Sequence, residues 1–305
     1  MGWSEDRLHR WLNARARPKA LAGALGNDAA VLRGLAGRPV ACVDQTLEGV
    51  HFAPGTPAPQ AGRKAAARAL SDLAASAATP VGLLLALHAP ADALEEWLRE
   101  GILAVERTGV RHGAELLGGD LCAASGPLAL VVTALGVLPG RRRPPGRDRA
   151  RPGQRVVVTG AVGGSGLGRH LRFAPRLSEG RWLYELGATA LMDVSDGLAW
   201  DLFRLARSSG VAIDLERIPV HPDAERLARG SGHPAEWHAL HDGEDHELLA
   251  TLPAAALQRA RAKAPEHCPG LAEIGAVRRG SGLWLVADGA RRAWSPDEGG
   301  WRHGS

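Results

Sequence analysis

Cysteine is scarce in this chain of 305 residues: Cys42, Cys122 and Cys268 are the only three. No pair has Cys-x-x-Cys spacing, which excludes a disulfide framework and a thiolate zinc site and fits a reducing compartment. Lysine is nearly absent: of 37 basic residues only Lys19, Lys64 and Lys263 are lysines. Codon composition explains such a bias as readily as function does, but with a formal net charge of +4 it favours anionic ligands over cationic ones. Long apolar runs are missing too. The longest, around VGLLLALHAP at 81–90, is too short to span a bilayer and too far from the N-terminus for a signal peptide. The first residues, MGWSEDRLHRWLNARARP, carry acids early and no apolar core. These absences read as a soluble, cytoplasmic protein with no membrane partner. Gly-Lys-Ser/Thr does not occur, which argues against a Walker-type NTPase, and no Ser-His or Cys-His nucleophile set stands out.

What is present is an ordinary globular composition, 45% hydrophobic and 23% charged, long enough for two domains. The dense Pro/Gly/Arg stretch PGRRRPPGRDRARPGQ (139–154) breaks the chain between two apolar strands. We expect an N-terminal domain over 1–138, a linker over 139–152 and a C-terminal domain over 153–305. In the first, PVACVDQT predicts a buried strand, AGRKAAARALSDLAASAA and DALEEWLREGILAVERTGV helices, and AELLGG and LALVVTALGV strands. In the second, RVVVTG, ATALMDV, HELLATL and SGLWLVAD predict strands, and SDGLAWDLFRLARSSG a helix closed by Gly210. Both halves mix strands and helices, an α/β (α+β) class.

The aspartates carry the chemistry. Asp44 ends an apolar strand, Asp72 sits in an Ala-rich helix, Asp28 and Asp120 follow glycine-containing turns, and Asp193 and Asp196 flank Ser195 at a strand end. Each has a plain structural use: a turn for Asp28 and Asp120, an ion pair with Arg68 for Asp72, a helix cap for Ser195 or Asp196. Together they place several carboxylates beside apolar segments with no adjoining basic block. Ionised carboxylates are costly to bury, and all-oxygen ligands point to Mg²⁺. The glycine-rich run VTGAVGGSGLG (158–168) offers amides for phosphate or serves only as a flexible loop. HDGEDHE (241–247) lacks the His-Glu-x-x-His spacing of a metalloprotease.

The segments GNDAAVL, VDQTLEGVHF, ALSDLAASAATP, LLGGDL, RARPGQRVVVTG, MDVSDGL, GEDHELL and the terminal GGWRH run in order from 26 to 303. With them the chain resembles the thiamine-monophosphate kinases, of the superfamily that includes aminoimidazole-ribonucleotide synthetase and selenophosphate synthetase. The resemblance implies an N-terminal sheet that forms a barrel in a homodimer, a C-terminal α/β domain, and a nucleotide cleft between them. It implies magnesium ligands at Asp28, Asp44, Asp72, Asp120 and Asp193, with Asp196 beside another ion. Gly119, Asp120, Arg147 and Ser195 match nucleotide positions; His51, Glu244 and Trp301 match the thiamine phosphate site. The reaction implied is ATP-dependent phosphorylation of thiamine monophosphate by direct in-line transfer, with several Mg²⁺ and no general base. Asn27 replaces the first of two acids, Cys42 and Val43 replace hydroxyl residues, Leu121 replaces a threonine, and His303-Gly304 replaces His-Phe. These departures leave open an inactive thiamine phosphate-binding relative, and a ring-closing ATP-dependent synthetase would share the ATP–Mg²⁺ site. An Arg-rich nucleic-acid binder is disfavoured by the 4% aromatic content and by acids gathered in the motifs.

Overall fold

The computed structural model describes residues 4–15, 18–21, 29–30 and 32–300. Asn27, Asp28, Trp301 and His303-Gly304 lie outside the described residues. The chain forms two compact units: Met1–Leu73 with Ala78–Arg141, and Ala74–Ala77 with Arg142–Ser305. No helix among the described residues is long and apolar enough to cross a membrane.

The first unit runs α1 (Glu5–Asn13), β1 (Arg38–Leu47), α2 (Ala58–Ala75), β2 (Thr79–Ala89), α3 (Glu95–Arg111), β3 (Glu115–Ala123) and β4 (Ala129–Leu138). Its four strands lie in the order β1-β4-β2-β3, antiparallel except for the β2–β3 pair. Side chains alternate across a strand, and β4 shows it: Leu130, Val132, Ala134 and Leu138 are buried, while Val131, Thr133, Leu135 and Val137 are half-buried. The buried side lies under the helices, where Cys42 Sγ is 3.2 Å from the Ala69 carbonyl oxygen of α2. No described helix covers the other side. There Pro39, Ala41 and Val43 of β1 are exposed, Val43 at 62%, beside Ala86 of β2 and Cys122 of β3. The strand expected to be buried over PVACVDQT is therefore covered on one face only. The apolar run at 81–90 is a strand, β2, inside this sheet.

The second unit contains β5 (Arg155–Val158), α4 (Leu177–Leu186), β6 (Ala190–Asp193), α5 (Leu198–Ser209), β7 (Ala212–Leu215), α6 (Pro222–Ser231), α7 (Ala235–His241), β8 (Leu248–Leu252), α8 (Ala254–His267), β9 (Ala272–Arg278), β10 (Gly282–Ala287) and β11 (Ala290–Ala293). Its seven strands are ordered β11-β10-β7-β9-β5-β8-β6. Leu198, Leu202 and Leu205 of α5, at helical spacing, bury against Ile213, Met192, Leu249 and Ile274 from the sheet. Gly210 ends α5 in the left-handed region at φ 64°, as expected. The helix begins at Leu198, so Ser195 and Asp196 lie in the loop before it.

The Pro/Gly/Arg segment does not hang free. Arg142 donates to the Tyr184 and Ala188 carbonyls and lies over the Tyr184 ring, 4.4 Å from its centroid. Further on, the Ala150 amide donates to Ser209 Oγ, which donates in turn to the Arg147 carbonyl. The segment is thus moored to the second unit by its backbone, while the Arg147 side chain is exposed.

Candidate functional site

In the first unit, Lys64, Arg68 and Asp72 recur every fourth residue and share one face of α2. Lys64 is fully buried and donates its ammonium to the His51 carbonyl. His51 Nδ1 accepts from the Leu47 amide at 3.0 Å, which fixes the ring over the turn that ends β1. Arg68 does not serve only its own helix: Nη2 lies 3.0 Å from Asp44 Oδ1, and Nη1 donates to the Gln45 carbonyl at 2.6 Å. Asp44 is therefore on the helix-covered side of β1, with Asp72 one turn further along α2.

Asp120 is on the other side. It pairs in register with Ala86 of β2 and is exposed on the open face of the sheet. Its neighbour Gly119 pairs with Leu85, and a Cβ there would lie 1.8 Å from the Leu85 carbonyl oxygen, so no other residue fits. Leu121 turns back under the helices and is 7% exposed, which gives the leucine a packing role. Asp44 and Asp120 thus point to opposite faces, three strands and roughly 14 Å apart. Among the described residues, no three His, Cys, Asp or Glu side chains gather closely enough to hold a metal ion.

In the second unit two loops meet at one end of the sheet, residues 194–197 after β6 and residues 242–247 before β8. They are joined by main-chain bonds: the Glu244 amide to the Ser195 carbonyl at 2.7 Å, His246 to Val194 at 2.8 Å and Val194 to Glu247 at 2.8 Å. The ladder of β6 and β8 so continues into the motifs, with Glu244 and His246 both at φ 52°. Asp193 is buried, and its Oδ2 is 3.2 Å from His246 Nδ1. Asp196 pairs with Arg204, and Glu244 is half-buried. Asp201, fully buried on α5, accepts the Ser195 and Asp196 amides on Oδ2 at 2.9 and 3.0 Å. Burial pushes its carboxyl up to about 8, and the charges of Asp196 and Asp193 add to the shift.

Two amides of the glycine-rich run, those of Gly163 and Gly164, are turned inward to carboxylates. Gly163 donates to both oxygens of Asp245 at 2.9 and 3.0 Å, Gly164 to Asp242 at 2.8 Å, and Ser165 Oγ to the Gly243 carbonyl at 2.6 Å. A Cβ on Gly163, at φ 94°, would fall 2.5 Å from Ala239 Cα. These glycines let the run press against α7 and hold the 242–247 loop, so the phosphate expectation for Gly163 and Gly164 is corrected. Asp245 also takes Arg169 Nη2 at 2.8 Å; burial still pushes its carboxyl up to about 6, with Arg169 opposing. Glu247 accepts Thr159 Oγ1 at 2.5 Å and is gripped by Arg176 through Nε and Nη2 at 2.9 and 2.5 Å. The carboxylate raises the Arg176 pKa against the effect of burial. A cavity of about 340 Å³ opens beside it, lined by Arg169, Arg176, His221 and Glu247 among others.

Arg169, Arg176 and Asp201 went unread in the sequence, and Asp245 and Glu247 were read only as part of HDGEDHE (241–247), with no role of their own. For Asp201 a signal existed: an acid between Leu198 and Leu202 on the apolar face of a helix. For the two arginines there was none, because their partners stand 76 and 71 residues away.

Residues 26–138 match the family described as AIR synthase related protein, N-terminal domain. The chain is 35% identical over 294 residues to the thiamine-monophosphate kinase of Rhodopirellula baltica, covering 92% of this chain and 91% of that one. Among solved structures it is similar to the thiamine-monophosphate kinase of Stenotrophomonas maltophilia, with a TM-score of 0.78 and 31% identity over 95% of this chain and 99% of the other. AaThiL complexed with AMPPCP and TMP gives a TM-score of 0.77 and 28% identity over 98% and 95%. With its mixed sheets and ordered motifs, the chain belongs to the thiamine-monophosphate kinase family.

Proposed function

We propose that the chain transfers the γ-phosphoryl group of ATP to thiamine monophosphate, giving ADP and thiamine diphosphate. The observation that carries this reading is the bond between the Ser195 carbonyl and the Glu244 amide. It joins the residue proposed for the nucleotide to one proposed for the substrate, in a chain similar over most of its length to kinases of this name. Ser195 with Gly119, Asp120 and Arg147 is assigned to the nucleotide; Glu244 with His51 and Trp301 to thiamine monophosphate. Trp301 would stack on the cationic thiazolium. The acceptor is a phosphate-monoester oxygen whose second pKa of ~6 leaves it anionic at pH 7, so no general base is assigned. The exposed guanidinium of Arg147 supplies a fixed positive group for phosphate.

The acids suit a divalent cation. All donors are oxygens, and Asp196 and Asp193 stand close enough to Asp201 to add to the upward shift that burial gives its carboxyl. Asp28, Asp44, Asp72, Asp120, Asp193 and Asp196 are the residues proposed to hold Mg²⁺, which when bound offsets repulsion between the two phosphate groups. Asp44 would exchange its Arg68 partner for the ion, and Asp196 its Arg204 partner.

The reading divides the chain into an ATP- and Mg²⁺-binding, dimerising domain at 1–138, a linker at 139–152 and a C-terminal domain at 153–305. The uncovered apolar face of the first sheet supports a homodimer in which two such sheets close into a barrel. No nucleic-acid or membrane partner is assigned, and the setting is cytoplasmic.

A coupled ADP-release assay with thiamine monophosphate and with thiamine tests the reaction. ADP and thiamine diphosphate in equal amounts from thiamine monophosphate alone are expected; no turnover of it with Mg²⁺ present would sink the reading. Asp44→Ala, Asp72→Ala and Asp120→Ala should each slow the reaction by roughly a hundredfold or more, and retained rates in all three would remove the assigned metal ligands.

A further inference from the structure

We infer that Asp201 is a positioning residue for the reaction, fixing from α5 the backbone of the loop that carries Ser195 and Asp196. The inference rests on the nucleotide role proposed above for those two residues. A carboxylate has no inherent place on this face of α5: its helical neighbours Leu198, Leu202 and Leu205 are all fully buried, and so is Asp201. Burying an acid without partners is unfavourable, so the residue must answer to something nearby. Two consecutive amides, of Ser195 and Asp196, converge on Oδ2 at 2.9 and 3.0 Å. They belong to residues that have left the β6 ladder and have not entered the helix, and the side chain takes the place of a backbone acceptor.

The consequence reaches beyond two bonds. The carbonyl of Ser195 accepts the Glu244 amide, so the second loop hangs on the first. Asp196 is held twice, its amide by Asp201 and its carboxylate by Arg204. Asp201 itself touches no assigned ligand position except through these residues. Its Oδ1 is buried, has no hydrogen-bond partner among the described residues and lies 3.6 Å from Arg204 Nη1. One acceptor oxygen carries the whole role, and an asparagine can supply it.

The test uses the full chain with Asp201→Asn and Asp201→Ala, and Asp201→Leu as a variant that keeps the helix face filled if alanine does not fold. Hydrogen exchange of residues 193–197 is followed without ligand. Binding of AMPPCP with Mg²⁺ is measured by calorimetry, well below the melting temperature. We expect slow exchange at 195 and 196 in wild type and Asp201→Asn, and affinities within about threefold of each other. In alanine or leucine, exchange at these amides should accelerate and affinity fall about tenfold or more, as expected for two lost hydrogen bonds to buried amides. A variant without the acceptor that melts lower yet keeps both exchange and affinity would overturn the inference, leaving Asp201 a structural residue. Failure of wild type to bind AMPPCP would instead remove the proposed function, and exchange alone would then decide whether Asp201 holds the loop.

Discussion

Asp245 concentrates the conflict between burial and charge that runs through the second unit. It is 2% exposed, meets the Gly163 amide and Arg169, and still has its carboxyl pushed up to about 6. A carboxyl whose pKa is higher in the folded chain than in the unfolded one, where it is about 4, binds protons more readily when folded. Its stabilising contribution is full below pH ~4 and is lost as pH rises through about 6. Ligand-free melting temperatures measured from pH 4 to 7 should therefore fall more steeply for wild type than for Asp245→Asn; parallel curves would contradict the shift. Single residues were legible in the sequence where local context carried the message. Asp193, Ser195 and Asp196 stand out because a strand ends there and a helix follows. Asp245, within HDGEDHE (241–247), looked like one more acid in a loop, since nothing local announces Arg169 or Gly163 as its partners.

Elements were harder to read where a side chain replaces backbone bonding. The helix expected from Ser195 starts at Leu198, because Asp201 captures the Ser195 and Asp196 amides and Gly197 sits at φ 114°. The glycine-rich run shows the same ambiguity at larger size. Its letters serve phosphate binding, flexibility or close packing equally well, and only the approach of α7 and the 242–247 loop selects packing. Gly163→Ala should lower stability by about 3 kcal/mol, combining a left-handed backbone with a clash against Ala239. Gly166→Ala, three residues on, meets nothing within 4 Å and should be near neutral. Urea midpoints of the two variants give the comparison, and equal losses would argue against the packing role. Arg68 teaches a related lesson: spacing suggested Asp72, one helical turn away, whereas the guanidinium reaches across to Asp44 on β1.

At the scale of the molecule, composition and motif order were enough for an α/β class. The order β11-β10-β7-β9-β5-β8-β6 was not legible, because neighbours in that sheet are distant in sequence and their pairing depends on long-range packing. Nor was the one-sided cover of the first sheet, since β1 and β4 are apolar on both faces. Leu135, half-buried on the open side of β4, is a place to test what that face does. Leu135→Glu should convert a dimer to monomers in sedimentation, whereas a wild-type chain that is already monomeric would remove the barrel. The three cysteines give this architecture a chemical readout of its own. Cys122 stands exposed on the open face, Cys42 is half-buried beneath α2, and Cys268 is buried with its thiol pushed up to about 12. A thiol-specific alkylating reagent should therefore label them in that order. Cys122 should react fast in a lone chain and slowly once a second sheet covers it, Cys42 as α2 lifts from β1, and Cys268 only when the second unit opens. A chain with so few thiols thus carries one at each depth, and the order of their modification distinguishes dissociation from unfolding without any cysteine being introduced.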